Sequence, residues 1–162
     1  MVLPYWILVC EGRENWINPR NLEETGRDTT LPDDKKIEIL LWDRHRTERE
    51  LIREMLTTIG CNVTAVRDEQ ECLRKFRDGK YNLVVFDQAL PDLDVRGFVD
   101  DLGEIDELTP VAMMATLDVE FYEEKYGDSN IDFLILKPFE LAQLRNLVKE
   151  AMTLWQMLKG TA

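Results

Sequence analysis

Leu83-Val84-Val85-Phe86-Asp87, running on into Gln88-Ala89-Leu90-Pro91, decides the fold. Four consecutive large apolar residues without polar alternation predict a strand buried on both faces, as in the centre of a parallel sheet. The Asp78-Gly79 turn sets its start, and Asp87 stands at its carboxyl end. Toward the N-terminus the same alternation of apolar runs and amphipathic stretches continues. A helix is expected over Glu69–Arg77 and a strand over Val63–Val66. Before them, a helix over 46–59 carries Leu51, Ile52, Met55, Leu56 and Ile59 on one stripe and ends at Gly60. Ile37–Trp42 reads as the first strand. Toward the C-terminus a helix from about Val95 to Leu102 leads to a strand over Pro110–Met114. A short acidic helix near Val119–Tyr126, a strand over Phe133–Leu136 and a closing helix over Glu140–Lys159 follow. Strict alternation predicts an α/β, doubly wound, five-stranded parallel sheet, in which ligands gather at the carboxyl ends of the strands.

Composition narrows the functions available. With 32 acidic against 20 basic side chains the chain has a formal charge of −12, which repels nucleic-acid phosphates and anionic lipid. The basic cluster Arg44, His45, Arg46, Arg49 and Arg53 is interleaved with Glu48, Glu50 and Glu54, as on a solvated helix face. No nucleic acid and no membrane is therefore expected as a partner of this domain. Cys10, Cys61 and Cys72 lack the paired spacing of a zinc or redox site, which suits a reducing, cytoplasmic setting. Residues 11–34 lack sustained periodicity, so residues 1–35 read as a tail or linker, with Tyr5-Trp6-Ile7-Leu8-Val9 as an apolar front able to dock on the domain of residues 36–159.

The strand ends carry the chemistry. Strand one delivers Asp43 and then Arg44, strand three Asp87, strand four Ala115 and Thr116, and strand five Lys137 before Pro138. Close carboxylates repel, so the pair requires a basic partner or a divalent cation, and oxygen-rich sites favour Mg²⁺. Taken singly, an Asp after a strand is a common helix cap and Lys-Pro a common strand exit. Their coincidence at the ends of three strands points to a site.

Those blocks resemble the receiver domain of two-component response regulators, over about residues 36–152: Ile39-Leu40-Leu41-Trp42-Asp43-Arg44, Leu83 to Asp94, Pro110 to Ala115, and Leu134-Ile135-Leu136-Lys137-Pro138-Phe139. The resemblance implies a flavodoxin-like (βα)5 sandwich that acts as a phosphorelay switch in signal transduction. It makes Asp87 the phosphoacceptor for a histidine kinase, Asp43 and the Ala89 carbonyl further Mg²⁺ ligands, and Lys137 the group that binds the acyl phosphate. Four positions depart from the pattern. Arg44 stands where the family has a second acid, and its guanidinium would oppose Mg²⁺ and pair with Asp87. Ala115 replaces a hydroxyl residue, with Thr116 one place on and pointing elsewhere along a strand. Leu134 replaces the switching aromatic, with Phe133 one place off, and Val95 replaces a glycine.

Two signalling readings follow: a receiver phosphorylated on Asp87, or a phosphorylation-independent pseudo-receiver that docks or dimerises with Arg44 locking Asp87. An enzyme reading, a hydrolase with Asp87 as nucleophile, lacks both a glycine-rich phosphate loop and a second acid placed for proton transfer, so the chain is not expected to be an enzyme. The expected partners are a histidine kinase or another signalling protein. A homodimer is also expected, through the C-terminal helix or the face from the fourth strand to the fifth helix. Leu144, Val148, Ala151, Trp155 and Leu158 form a heptad-like seam on that helix, and beyond Met152 its apolar residues are expected to outrun the sheet.

Overall fold

Side-chain shape and burial select the strands. In the computed structural model, which describes residues 36–88, 94–116 and 119–160, five strands form: β1 (Ile37–Trp42), β2 (Cys61–Val66), β3 (Leu83–Asp87), β4 (Val111–Ala115) and β5 (Phe133–Leu136). Between and after them run α1 (Arg46–Ile59), α2 (Glu69–Asp78), α3 (Val95–Ile105), α4 (Val119–Tyr126) and α5 (Leu141–Gly160). All pairings are parallel, in the order β2-β1-β3-β4-β5. Every residue of β3 and β4 is buried, as continuous apolar runs between two helical layers require. Right-handed crossovers place α1 with α5 on one face and α2 with α3 on the other. The chain turns to β2 on one side of β1 and to β3 on the other, so the loops after β1 and β3 diverge and leave a cleft at the carboxyl edge.

Helix ends follow local chemistry. Gly60 closes α1 in the left-handed region at φ 108°, where a side chain is disfavoured. Asp68 caps α2 by accepting the Glu71 N–H at 2.8 Å, and Asp94 caps α3 by accepting the Gly97 N–H at 3.0 Å.

Several expected boundaries shift. β2 starts two residues earlier, at Cys61, because it pairs with the whole of β1, from Ile37↔Cys61 to Trp42↔Val66. Pro110, which has no N–H to give a ladder, stays outside β4, and α3 continues to Ile105. Leu51 is 56% exposed and does not belong to the buried stripe of α1. Adjacent helical residues sit about 100° apart, and Ile52 with Leu56 takes the core-facing side.

The end of α5 also corrects the expectation. Leu154 and Trp155 pack against the core rather than running past it. Trp155 lines a groove of about 770 Å³ with Ile37, Phe76, Tyr81, Ile105 and Met152, at the amino ends of the strands. The Lys159 ammonium, 2.8 Å from Asp106 Oδ2, ties the helix end to the residue after α3. The proposed docking front of residues 1–35 lies outside the described residues.

Candidate functional site

Register brings the two aspartates together. Trp42 lies opposite Phe86 across the β1–β3 ladder, so Asp43 and Asp87 emerge side by side at the carboxyl edge. Phe98 of α3 packs edge-on against both preceding rings, with centroids 4.7 Å from Trp42 and 5.2 Å from Phe86. That brace fixes the strand ends from beneath. Both aspartates are fully buried, at 0% exposure. β5 then supplies Lys137, whose N–H donates to the Ala115 carbonyl at 2.7 Å and whose ammonium lies 2.9 Å from Asp87 Oδ1.

Glu48, in the first turn of α1, joins this group: its Oε1 forms a second ion pair with the Lys137 ammonium. One carboxylate oxygen from each of Asp43, Glu48 and Asp87 lies within 4.8 Å of the other two. Asp43 Oδ1 accepts the His45 N–H at 2.8 Å, while its Oδ2 is buried with no hydrogen-bond partner among the described residues. Burial above all, reinforced by the Asp87 and Glu48 charges and only partly offset by the His45 N–H and by Lys137, pushes the Asp43 carboxyl up to about 6. For Lys137, burial alone lowers the pKa, but the bonds to Glu48 and Asp87 outweigh it and hold the ammonium above its usual range. Three carboxylates against one ammonium leave an excess of negative charge. An all-oxygen donor set with an orphaned buried oxygen fits a hard divalent cation such as Mg²⁺.

Asp43, Asp87 and Lys137 thus meet as expected. Arg44 does not join them. It is exposed, and among the described residues the cationic partner of the fully buried Asp87 is Lys137. The turn that folds the His45 N–H back onto Asp43 Oδ1 leaves Arg44 facing solvent, so its guanidinium neither locks Asp87 nor occupies the cation position. Ala115 is buried and brings no hydroxyl, Thr116 is exposed, and Leu134 is buried in β5. Ala89 lies outside the described residues.

Two residues escaped the sequence reading. Glu48, five positions after Asp43, looks like one more acid among interleaved surface charges, or a favourable charge at a helix N-terminus. Tyr122 of α4 is fully buried, and its hydroxyl donates to Gln88 Oε1 at 2.8 Å and accepts the Thr116 N–H at 3.4 Å. It thereby bridges the residues that follow β3 and β4. Nothing in the four residues Phe121-Tyr122-Glu123-Glu124 distinguishes this tyrosine from a surface one.

Comparison with known proteins agrees with this fold. The sequence profile of the response regulator receiver domain matches residues 39–149. An uncharacterised transcriptional regulatory protein, YcbL of Bacillus subtilis, is 30% identical over 113 residues, covering 70% of this chain and 49% of its own length. Hybrid signal transduction histidine kinase L of Dictyostelium discoideum is 27% identical over 120 residues, 69% of this chain and 7% of its own. The chain thus spans about half, or much less, of these relatives. Among solved structures, the receiver domain of the Pseudomonas aeruginosa sensor histidine kinase PA1611, with a magnesium ion coordinated in its active site cleft, superposes with a TM-score of 0.66. It is 21% identical and covers 74% of this chain and 99% of its own. The Vibrio cholerae chemotaxis protein CheY4 gives a TM-score of 0.66 at 18% identity, over 72% of this chain and 99% of its own. On the profile match, the chain belongs to the response regulator receiver domain family, the signalling modules of two-component phosphorelays.

Proposed function

We propose that the domain is a phosphorylation-driven interaction switch, with Asp87 accepting a phosphoryl group from the phosphohistidine of a histidine kinase. The observation that carries the reading is the buried Asp87–Lys137 pair at the end of β3, set beside the Asp43 and Glu48 carboxylates. In the transfer, an Asp87 carboxylate oxygen bonds to phosphorus as the phosphorus–nitrogen bond to histidine breaks, and the freed nitrogen takes up a proton. Lys137 pairs with Oδ1 before transfer and with the charge gained on the acyl phosphate after it. Mg²⁺ held by Asp43 and Asp87 would supply further neutralisation of the phosphoryl oxygens. Arg44, turned to solvent, does not oppose this chemistry.

A second reading, a phosphorylation-independent docking module, is favoured by the buried Ala115 and Leu134, which bring neither the hydroxyl nor the aromatic to the site. Packing of Leu154 and Trp155 on the core weakens a dimer through the end of α5. Phe121, 40% exposed on α4, supports instead the face from the fourth strand to the fifth helix as the contact for a second copy or a signalling partner. Buried free thiols at Cys61 and Cys72 support a reducing, cytoplasmic setting.

Incubation with acetyl phosphate and Mg²⁺, followed by intact-mass measurement, tests the choice. A phosphoryl adduct lost in Asp87→Ala is the expected result. An unmodified chain that still associates with its partner would establish the docking reading instead.

A further inference from the structure

Strand β1 delivers one acid to the site, not two, because the residue after Asp43 is Arg44 and its side chain is exposed. The first turn of α1 makes good the deficit. Glu48 reaches back over the strand end and brings a carboxylate oxygen within 4.8 Å of oxygens on Asp43 and Asp87. Its side chain is 32% exposed, so it closes the site on the solvent side while the two aspartates form the floor. We propose that Glu48 is a direct ligand of a divalent cation held with Asp43 and Asp87, replacing the acid that β1 lacks at position 44. The inference rests on the receiver reading of the site and assigns it a ligand from a helix instead of a strand.

Two observations beyond the acidic cluster support a cation there. Asp43 Oδ2 is buried without a hydrogen-bond partner among the described residues, on a side chain that is 0% exposed, a costly arrangement unless something positive comes to it. The basic side chains described nearby do not serve. Arg49 directs its guanidinium to the Asp43 backbone carbonyl at 2.9 Å, Arg44 faces solvent, and Lys137 is engaged by Glu48 and Asp87. An ion bound by all three carboxylates would take Glu48 from the Lys137 ammonium and leave that ammonium to Asp87. Carboxylate oxygens alone, with room for water on the Glu48 side, select a hard ion of the Mg²⁺ or Mn²⁺ class.

Titration of the unphosphorylated full chain with Mn²⁺, read by calorimetry and by loss of the free-ion paramagnetic signal, with Mg²⁺ as competitor, tests the assignment. The unmodified chain should bind one ion saturably. Glu48→Gln, close in shape and on a partly exposed helix turn, should weaken binding by roughly tenfold or more, as loss of a metal-site group does. Arg44→Ala should leave affinity nearly unchanged, and Glu48→Gln combined with Arg44→Asp should recover it. Circular dichroism confirms that each variant is folded, and Glu48→Asp, too short to reach, serves as a second substitution. Equal affinity in the unmodified and Glu48→Gln chains overturns the assignment, as does the absence of saturable binding in the unmodified chain. Acetyl-phosphate labelling of the same proteins separates the two ideas. Cation binding that depends on Glu48 without Asp87 phosphorylation removes the phospho-switch reading alone, whereas phosphorylation with affinity indifferent to Glu48 removes the ligand assignment alone.

Discussion

Lys137 is the side chain on which the charge balance of the site turns. It is 16% exposed and stands between Glu48 and the fully buried Asp87. Lys137→Met keeps most of the apolar stem and removes the charge, so Asp87 and Glu48 lose the cation they share. A loss of about 3 kcal/mol in urea unfolding at pH 7.5 is expected, since breaking a buried pair strands its partner. Added Mg²⁺ should recover part of that loss. Asp132, far from the site, reports on burial in a different way. Its Oδ2 accepts the Val111 N–H at 2.9 Å, but burial dominates and pushes the carboxyl up to about 6 from its ordinary 3.8. A folded-state pKa above the unfolded one means that the protonated form stabilises the fold. That contribution is full below about pH 4 and is lost as pH rises through about 6. Asp132→Asn keeps an acceptor for Val111 and removes the charge. It should raise stability at pH 7.5 by about 1–2 kcal/mol, a figure reduced for partial exposure, and flatten the pH dependence between 4 and 6 relative to the unmodified chain.

At the scale of elements, the caps and turns set where each strand end points. Gly60 ends α1 at φ 108°, and no atom lies within 4 Å of where a methyl group would stand, so a side chain there meets backbone strain and no clash. Gly60→Ala should therefore cost about 1 kcal/mol in thermal or urea unfolding and leave the site intact. A much larger loss would mean that the α1–β2 turn is coupled to the core. The same element explains why part of the site was not legible. The amphipathic pattern of α1 placed its helix correctly over 46–59, but a helical pattern does not say that the first turn bends over the end of β1. Only the packing of α1 beside β1 and β2 converts Glu48 from a solvated acid into a neighbour of Asp43 and Asp87.

Across the whole molecule, α5 shows how tertiary packing reassigns an apolar surplus. By sequence position Trp155 lies beyond the sheet; in the fold it enters the groove formed by Ile37, Phe76 and Ile105 at the amino ends of the strands. Lys159 and Asp106 clasp that end at 2.8 Å. Trp155→Ala should lower stability by about 2 kcal/mol in urea unfolding of the full chain, less than for a fully buried tryptophan because the side chain is only partly covered. An unchanged midpoint would mean that the helix end is free for a partner. Of the acids behind the chain's charge of −12, Asp43, Glu48 and Asp87 are gathered into one cluster at the opposite, carboxyl edge of the sheet.

By itself the sequence determined the alternation of strands and helices, and with it the convergence of Asp43, Asp87 and Lys137. Apolar runs of strand length must be buried on both faces, and a right-handed parallel sheet presents all its carboxyl ends on one edge. Residues attached to those ends were legible because strand register fixes them to within one position. Tertiary structure alone decided where side chains at the flexible positions went. Arg44, expected over Asp87, turned to solvent because a backbone turn onto Asp43 Oδ1 directs it outward. Glu48 and Tyr122 reached inward from helices, and Trp155 folded under the sheet. Contacts between a helix and a loop distant in sequence depend on how elements pack, and no local period in the chain encodes that angle.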